Sequence, residues 1–145
     1  MAEPHVVIVG GGFGGLWAAR TLAGQPVRVT LVDRSNHHVF QPLLYQVATA
    51  TLSPGDIASP IRWILRYARN VRVILGAATS IDPARKVVQL DGGESLTYDY
   101  LIVATGARHS YFRRDDWAPF APGLKTLDDA LEIDRKSTRL NSSHT

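Results

Sequence analysis

The sequence predicts a doubly wound α/β fold, a parallel sheet flanked by helices with a small antiparallel β-meander inserted, and three observations carry that expectation. First, Val6, Val7, Ile8 and Val9 form a short apolar, mostly β-branched run that ends in Gly10, Gly11, Gly12, Phe13, Gly14 and Gly15. Helix-forming residues follow, then a second such run over residues 29–33. Second, residues 71–75 and 100–104 are two more apolar runs of strand length. Third, the residues between them alternate short extended segments with the turn signals Asp82-Pro83 and Asp91-Gly92-Gly93.

In chain order, residues 6–9 read as a buried parallel strand and residues 12–23 as a helix stopped by Gly24, with Pro26 just beyond. Gly10 allows a sharp turn. Gly12 removes a side chain that would hold the backbone away from a pyrophosphate, and Gly15 lets the helix lie close to the strand. The helix N-terminus then presents free N–H groups to an anion. Asp33 falls eighteen residues after Gly15, at the end of the second strand, where a carboxylate can accept hydrogen bonds from both ribose hydroxyls. Strand, turn, helix, strand and acid in register make a Rossmann-like dinucleotide site, for NAD or FAD alike.

Residues 42–50 are apolar and uncharged, and Ser53-Pro54-Gly55-Asp56 reads as a turn. A helix is expected after Ser59 as N-cap, with Pro60 at its first position. Ile61, Ile64, Leu65 and Ala68 would share its apolar face, and Arg62, Arg66 and Arg69 an opposite face that is either solvated or in contact with phosphate or lipid. Residues 71–75 give the third parallel strand; residues 77–81, 86–90 and 94–97 give the meander; residues 100–104 return as a buried strand ending at Thr105-Gly106. Residues 107–125 read as an irregular crossing. Thr126 then caps a helix through Asp129, with Leu127, Ala130 and Leu131 on its apolar side.

A chain of 145 residues, 45% hydrophobic, can bury one core. It contains no cysteine, which excludes disulfides, thiolate metal sites and a cysteine redox pair within it. No apolar run approaches the ~20 residues of a membrane span, and no signal-peptide core precedes the first strand, so a cytoplasmic start is expected. The isoelectric point near 9.5 is no nucleic-acid footprint. Residues 134–145 hold Arg135, Lys136 and Arg139 against Asp134, leaving 13 basic and 12 acidic groups in the other 133.

The glycine turn, Asp33, the meander and Thr97-Tyr98-Asp99-Tyr100-Leu101-Ile102-Val103-Ala104-Thr105-Gly106-Ala107 together resemble the two-dinucleotide flavoprotein disulfide reductase-like superfamily. Within it, Asn36-His37-His38-Val39-Phe40-Gln41-Pro42-Leu43-Leu44-Tyr45-Gln46-Val47-Ala48 resembles the corresponding segment of type II NADH:quinone oxidoreductases. The resemblance covers residues 5–133 and implies FAD in this Rossmann-like domain. By position it implies that Gly10 to Gly15 hold the FAD pyrophosphate and Asp33 the adenosine ribose, with Arg34 beside it. It implies that the Ala78 backbone meets adenine, that Thr105 and Gly106 pass the flavin, and that Gln41 to Leu44 lie near the isoalloxazine ring. Ordinary core packing is the other reading of Leu43, Leu44 and Val47.

His37 and His38 are adjacent in a strand-like segment, so their side chains point to opposite sides and do not share a metal ion. No metal site is expected; a polar loop near the flavin, or help in proton delivery, is the functional reading. Asp115-Asp116 reads as a solvated turn. Disulfide and sulfide:quinone enzymes of the superfamily use cysteines absent here, so the resemblance implies hydride transfer from NADH to FAD and then electron transfer to a membrane quinone. It names no catalytic residue in this stretch. It also implies a parent protein at the cytoplasmic face of a bacterial membrane, held peripherally through a missing C-terminal region, with a homodimer possible.

Residues 1–133 are thus expected to be the truncated N-terminal part of an FAD-binding domain, inactive alone for want of the NADH fingerprint and the quinone site. Residues 134–145 are expected to be non-native: Asp134 to His144 reverse-translate, codon for codon in one frame, into a common short-read sequencing adapter. Two other functions fit the same motifs, a soluble FAD-dependent reductase serving a small redox protein and a non-enzymatic nucleotide-sensing module.

Overall fold

A computed structural model describes residues 3–142, with side chains through Arg139; the last three residues of the expected foreign tail lie outside the described residues. The chain forms two compact units, one of residues 1–38 and 59–106 and one of residues 39–58 and 107–145.

In the first unit β1 (His5–Val9) leads into α1 (Phe13–Leu22) and β2 (Arg28–Asp33). The short β3 (His37–Val39) follows, where the chain passes to the second unit. There α2 (Leu44–Ala48) and α3 (Pro54–Ile57) precede β4 (Ala58–Pro60), on which the chain returns; β4 pairs with β3. The first unit resumes with α4 (Ile61–Ile64), β5 (Val71–Leu75), β6 (Ala78–Asp82), β7 (Val87–Leu90), β8 (Ser95–Thr97) and β9 (Tyr100–Val103). The second unit ends with α5 (Leu127–Ser142).

The strand order β5-β2-β1-β9 is parallel throughout, and β6-β7-β8 is the antiparallel meander. Because strand side chains alternate between faces, the sheet has two apolar coats. Val6, Ile8, Val29 and Leu31 pack with Leu16, Ala19, Ile61 and Leu65 of the helical layer. Val7, Val9, Val32 and Ile74 pack with Val88, Leu90 and Leu96 of the meander. In the second unit Leu44, Val47, Ala48, Ile57 and Ala130 make a separate cluster.

Asn70 closes the end of α1 from far along the chain. Its Oδ1 accepts the Gly24 N–H at 2.9 Å, and its Nδ2 donates to the Leu22, Gln25 and Val27 carbonyls. Carbonyls orphaned at a helix C-terminus thus find a donor.

Three expectations are corrected. Ser53 to Asp56 is not a bare turn: the Ser53 N–H and Oγ–H both donate to the Asp56 carboxylate, at 2.8 and 2.7 Å, and open the one-turn α3. Ser59 does not cap the next helix. Ser59 and Pro60 are drawn into β4, the Ile61 N–H donates to the Asn36 carbonyl, and α4 keeps a single turn. The strand at residues 100–103 is not buried throughout. It pairs only with β1, at the sheet edge among the described residues, leaving Tyr100 65% and Val103 58% exposed. The last helix, α5, continues across residue 133, with Lys136 Nζ 2.7 Å from Glu132 Oε1 one turn apart.

Candidate functional site: a glycine cradle at the carboxyl ends of the strands

The parallel strands end at Val9, Asp33, Leu75 and Val103, and the chain turns from winding outward through β2 and β5 to winding the other way at β9. That topological switch lies between β1 and β9, the place where open α/β sheets leave a crevice for ligands. The glycine segment occupies it.

Each glycine there answers a different constraint. Gly10 has φ +107°, and a Cβ on it would sit 2.2 Å from the Ala104 carbonyl oxygen and 3.1 Å from the Thr105 nitrogen. Its N–H donates to the Val32 carbonyl at 2.8 Å, which ties the turn to β2. A Cβ on Gly15 would lie 1.7 Å from the Gly10 carbonyl oxygen, so α1 rests directly on the turn. One on Gly11 would meet Ile61 Cδ1 at 2.5 Å and the Asp33 side chain at 3.2 Å. Gly14 faces only the Ala104 methyl, at 3.7 Å. Gly12 has nothing within 4 Å. It is also the N-cap of the ten-residue α1, and no side chain caps that end. Packing therefore requires glycine at Gly10 and Gly15 but not at Gly12, where the open space borders the N-terminus and positive dipole end of a helix. An anion, a pyrophosphate included, fits this arrangement.

Asp33 is fixed beside the cradle. The Gly11 N–H donates to its Oδ2 at 2.6 Å, and the Ser35 N–H and Oγ–H donate to its Oδ1 at 2.7 and 2.8 Å. A carboxylate has about four acceptor positions, so three of them are engaged. The Ser35 hydroxyl also lies 3.3 Å from the His37 carbonyl, an alternative acceptor that frees one more. Arg34 is exposed next to it.

His38, which the sequence left as a polar loop residue, is built into the cradle. Its Nδ1 lies 3.2 Å from the Gly11 carbonyl, which can only accept, so Nδ1 carries the proton. Its ring meets Phe13 edge to face at 4.9 Å. No sequence pattern signals this pairing. His37 and His38 belong to no metal-holding cluster of His, Cys, Asp or Glu among the described residues.

Thr105 and Gly106 follow β9 as exposed loop residues, Gly106 with φ +74°. Ala78 opens β6; ahead of it the Ala77 N–H donates to Asp91 Oδ1 and the Asp91 N–H to the Ala77 carbonyl. Gln41 and Leu44 belong to the second unit. The Gln41 Nε2 donates to the Lys125 carbonyl at 3.2 Å, and Leu44 is 2% exposed inside that unit's apolar cluster. The first unit thus gathers Gly10 to Gly15, Asp33 and Thr105, together with His38, which the sequence offered only as a polar loop residue near the flavin or a helper in proton delivery, and with Ser35 and Ala104, to which it gave no role.

Comparison with known proteins agrees with this geometry. The profile of the pyridine nucleotide-disulphide oxidoreductase family matches residues 4–143. The chain is 53% identical over 132 residues to the type II NADH:quinone oxidoreductase NdhA of Mycobacterium tuberculosis, an alignment covering 89% of this chain. Among solved structures, the sulfide:quinone oxidoreductase of Aquifex aeolicus superposes with a TM-score of 0.85 at 28% identity, over 97% of this chain and 33% of that one. NDH2 from Plasmodium falciparum, solved in complex with NADH, superposes with a TM-score of 0.84 at 28% identity, over 92% of this chain and 28% of that one. The chain spans 28% of the length of the Mycobacterium relative. With the profile matched across nearly its whole length, the chain belongs to the pyridine nucleotide-disulphide oxidoreductase family.

Proposed function

We propose that this chain supplies the pyrophosphate and adenosine-ribose part of an FAD site in an NADH:quinone oxidoreductase. The observation that carries the reading is the open position at Gly12, on an uncapped helix N-terminus beside a fixed Asp33 carboxylate. The 53% identity to a protein named type II NADH:quinone oxidoreductase favours the NADH and quinone pair over sulfide. Bound FAD would take a hydride from NADH and pass two electrons on to quinone, which takes up two protons. The residues of this chain hold and orient. The glycine turn and the N-terminus of α1 at Gly12 would receive the pyrophosphate. Asp33 would accept one ribose hydroxyl directly and a second once the Ser35 hydroxyl turns to the His37 carbonyl. Arg34 stands beside that end. Ala78, Thr105 and Gly106 are assigned further along the same cofactor, by resemblance.

The test is FAD titration of the chain, read by quenching of flavin fluorescence. Saturable binding weakened at least tenfold by Asp33→Asn is expected; binding indifferent to that substitution would overturn the ribose assignment. NADH consumption with a quinone acceptor by the parent protein tests the reaction itself. Peripheral membrane contact on the cytoplasmic side and a homodimer are proposed for the parent, and co-sedimentation with vesicles and sedimentation equilibrium check them. No helix among the described residues is long and apolar enough to cross a membrane.

We also infer that residues 134–145 are foreign to the gene. The reverse translation of residues 134–144 into a single frame of a sequencing adapter supports this. Finding the segment encoded in genomic DNA at the source locus would refute it.

A further inference from the structure

At the opposite end of the same sheet, where the strands begin, the face under the meander changes character. Register places His5 beside Arg28 and Thr30 beside Arg72. Val29, Leu31, Val71 and Val73 all pack toward the helical layer, so alternation puts Arg28, Thr30 and Arg72 on the meander face. Higher up, that face is apolar and covered by Val88, Leu90 and Leu96. Lower down it borders a cavity of about 460 Å³ whose far wall is the β8 strand. The volume falls within the roughly 300–1,000 Å³ of small-molecule sites.

The groups there are basic and polar. Arg28, Arg69 and Arg72 line the cavity with Glu3 as its one acid, and among the described residues none of the three guanidiniums has an ion-pair partner. His5 is 8% exposed and Thr30 4%, with His5 Nε2 2.8 Å from Thr30 Oγ1. His5 Nδ1 is buried without a well-formed hydrogen bond, although the Thr97 backbone lies near the ring. His5 and Thr30 partner each other, while among the described residues the three guanidiniums beside them are left without a paired counter-charge, the arrangement that an anion completes.

We propose that this cavity is a second anion site, separate from the glycine cradle, which takes a small phosphorylated molecule between Arg28, Arg69 and Arg72. Guanidiniums grip phosphate oxygens in pairs, and two of these project from neighbouring strands with a third from the turn before β5. The five residues of β1 separate the two sites by about 15 Å at ~3.3 Å per residue. The proposal does not depend on the FAD reading.

The experiment is a titration of the isotope-labelled chain with inorganic pyrophosphate, following backbone amides by NMR. Saturable shifts are expected at His5, Thr30 and Arg72. A Arg28→Gln/Arg72→Gln double variant should weaken that response at least tenfold while the Gly10 to Gly15 amides respond as before. All three arginines are exposed, and Arg69→Gln alone, with far-UV circular dichroism, serves as the second variant, expected to weaken it severalfold. Shifts confined to Gly10 to Gly15, a non-saturating response, or unchanged affinity in the variants would overturn the site. Phosphatidylglycerol vesicles that perturb the same amides where pyrophosphate does not would assign it to a lipid headgroup and overturn the soluble ligand.

Discussion

Gly12 and Gly15 look alike in sequence, yet the structure predicts opposite consequences for the same substitution. In Gly15→Ala the new Cβ would lie 1.7 Å from the Gly10 carbonyl oxygen, while real Cβ atoms essentially never approach another atom within 3.0 Å. The obstacle is backbone, so no rotamer relieves it. Helix α1 must retreat from the turn by more than 1 Å, taking Leu16 and Ala19 off Val6, Ile8 and Leu31. Overpacking of this kind costs about 3 kcal/mol, which for a chain of this size lowers Tm by roughly 6–12 °C. In Gly12→Ala the Cβ meets nothing within 4 Å, and φ of −71° suits any residue. Loss of the glycine N-cap costs ~0.5–1 kcal/mol, and the stiffer unfolded chain offsets ~0.4–1 kcal/mol, so stability stays within about 0.5 kcal/mol. The methyl group does stand where an anion would approach, and FAD affinity should fall at least tenfold. Urea unfolding followed by circular dichroism, beside flavin titration, reads both quantities. A Gly12→Ala chain that unfolds as easily as Gly15→Ala, or a neutral Gly15→Ala, would refute the division between packing glycine and ligand glycine.

Ser35→Ala should leave FAD affinity within about threefold, because the serine hydroxyl competes with a ribose hydroxyl for Asp33, whereas Asp33→Asn removes the shared acceptor and a charge-assisted bond of ~1.5–3 kcal/mol; equal losses would contradict this. Burial raises the Asp129 pKa, but hydrogen bonds from Lys125 and Thr126, with His109 nearby, outweigh it and hold the carboxyl below its usual value. Its stabilisation is therefore complete above about pH 4 and lost as pH falls through the lower folded value, so α5 helicity should decline there in acid, and Asp129→Asn should abolish that dependence. Thr126→Ala, which removes the acceptor for the Asp129 N–H at 3.1 Å, should cost about 1 kcal/mol in urea unfolding. Burial first, and Arg28 second, push the His5 pKa down. The unfolded chain then binds the proton more readily, so His5 contributes stability above about pH 6.5 that is lost as pH falls below it; His5→Gln should flatten the urea midpoint between pH 8 and pH 5.5, and an unchanged slope would refute the assignment.

Much of the first unit was legible because its signals are local. An apolar run before a glycine turn, the helix after it and the acid at the end of the second strand all follow from backbone preferences over ten to thirty residues, and β1, α1, β2, β5 and the meander lie within a residue or two of their expected places. The misread places are those where distant chain competes. Ser59 has the chemistry of a cap, but pairing with β3 takes it first. Residues 100–103 have the composition of a buried strand, but composition does not say how many neighbours a strand has.

By itself the sequence determined most strands and helices of the first unit, and the glycine turn between β1 and α1 with an acid at the end of β2. Only the tertiary structure decided which glycines serve packing and which leaves room for a ligand. It also decided that Asn70 closes α1, that His38 holds the Gly11 carbonyl, and that His5 and Thr30 meet beneath the meander. The physical reason is that local propensity acts through a few neighbouring dihedrals. A steric clash, a hydrogen bond across forty residues or a cavity between sheet and meander exists only once the strands have found their register.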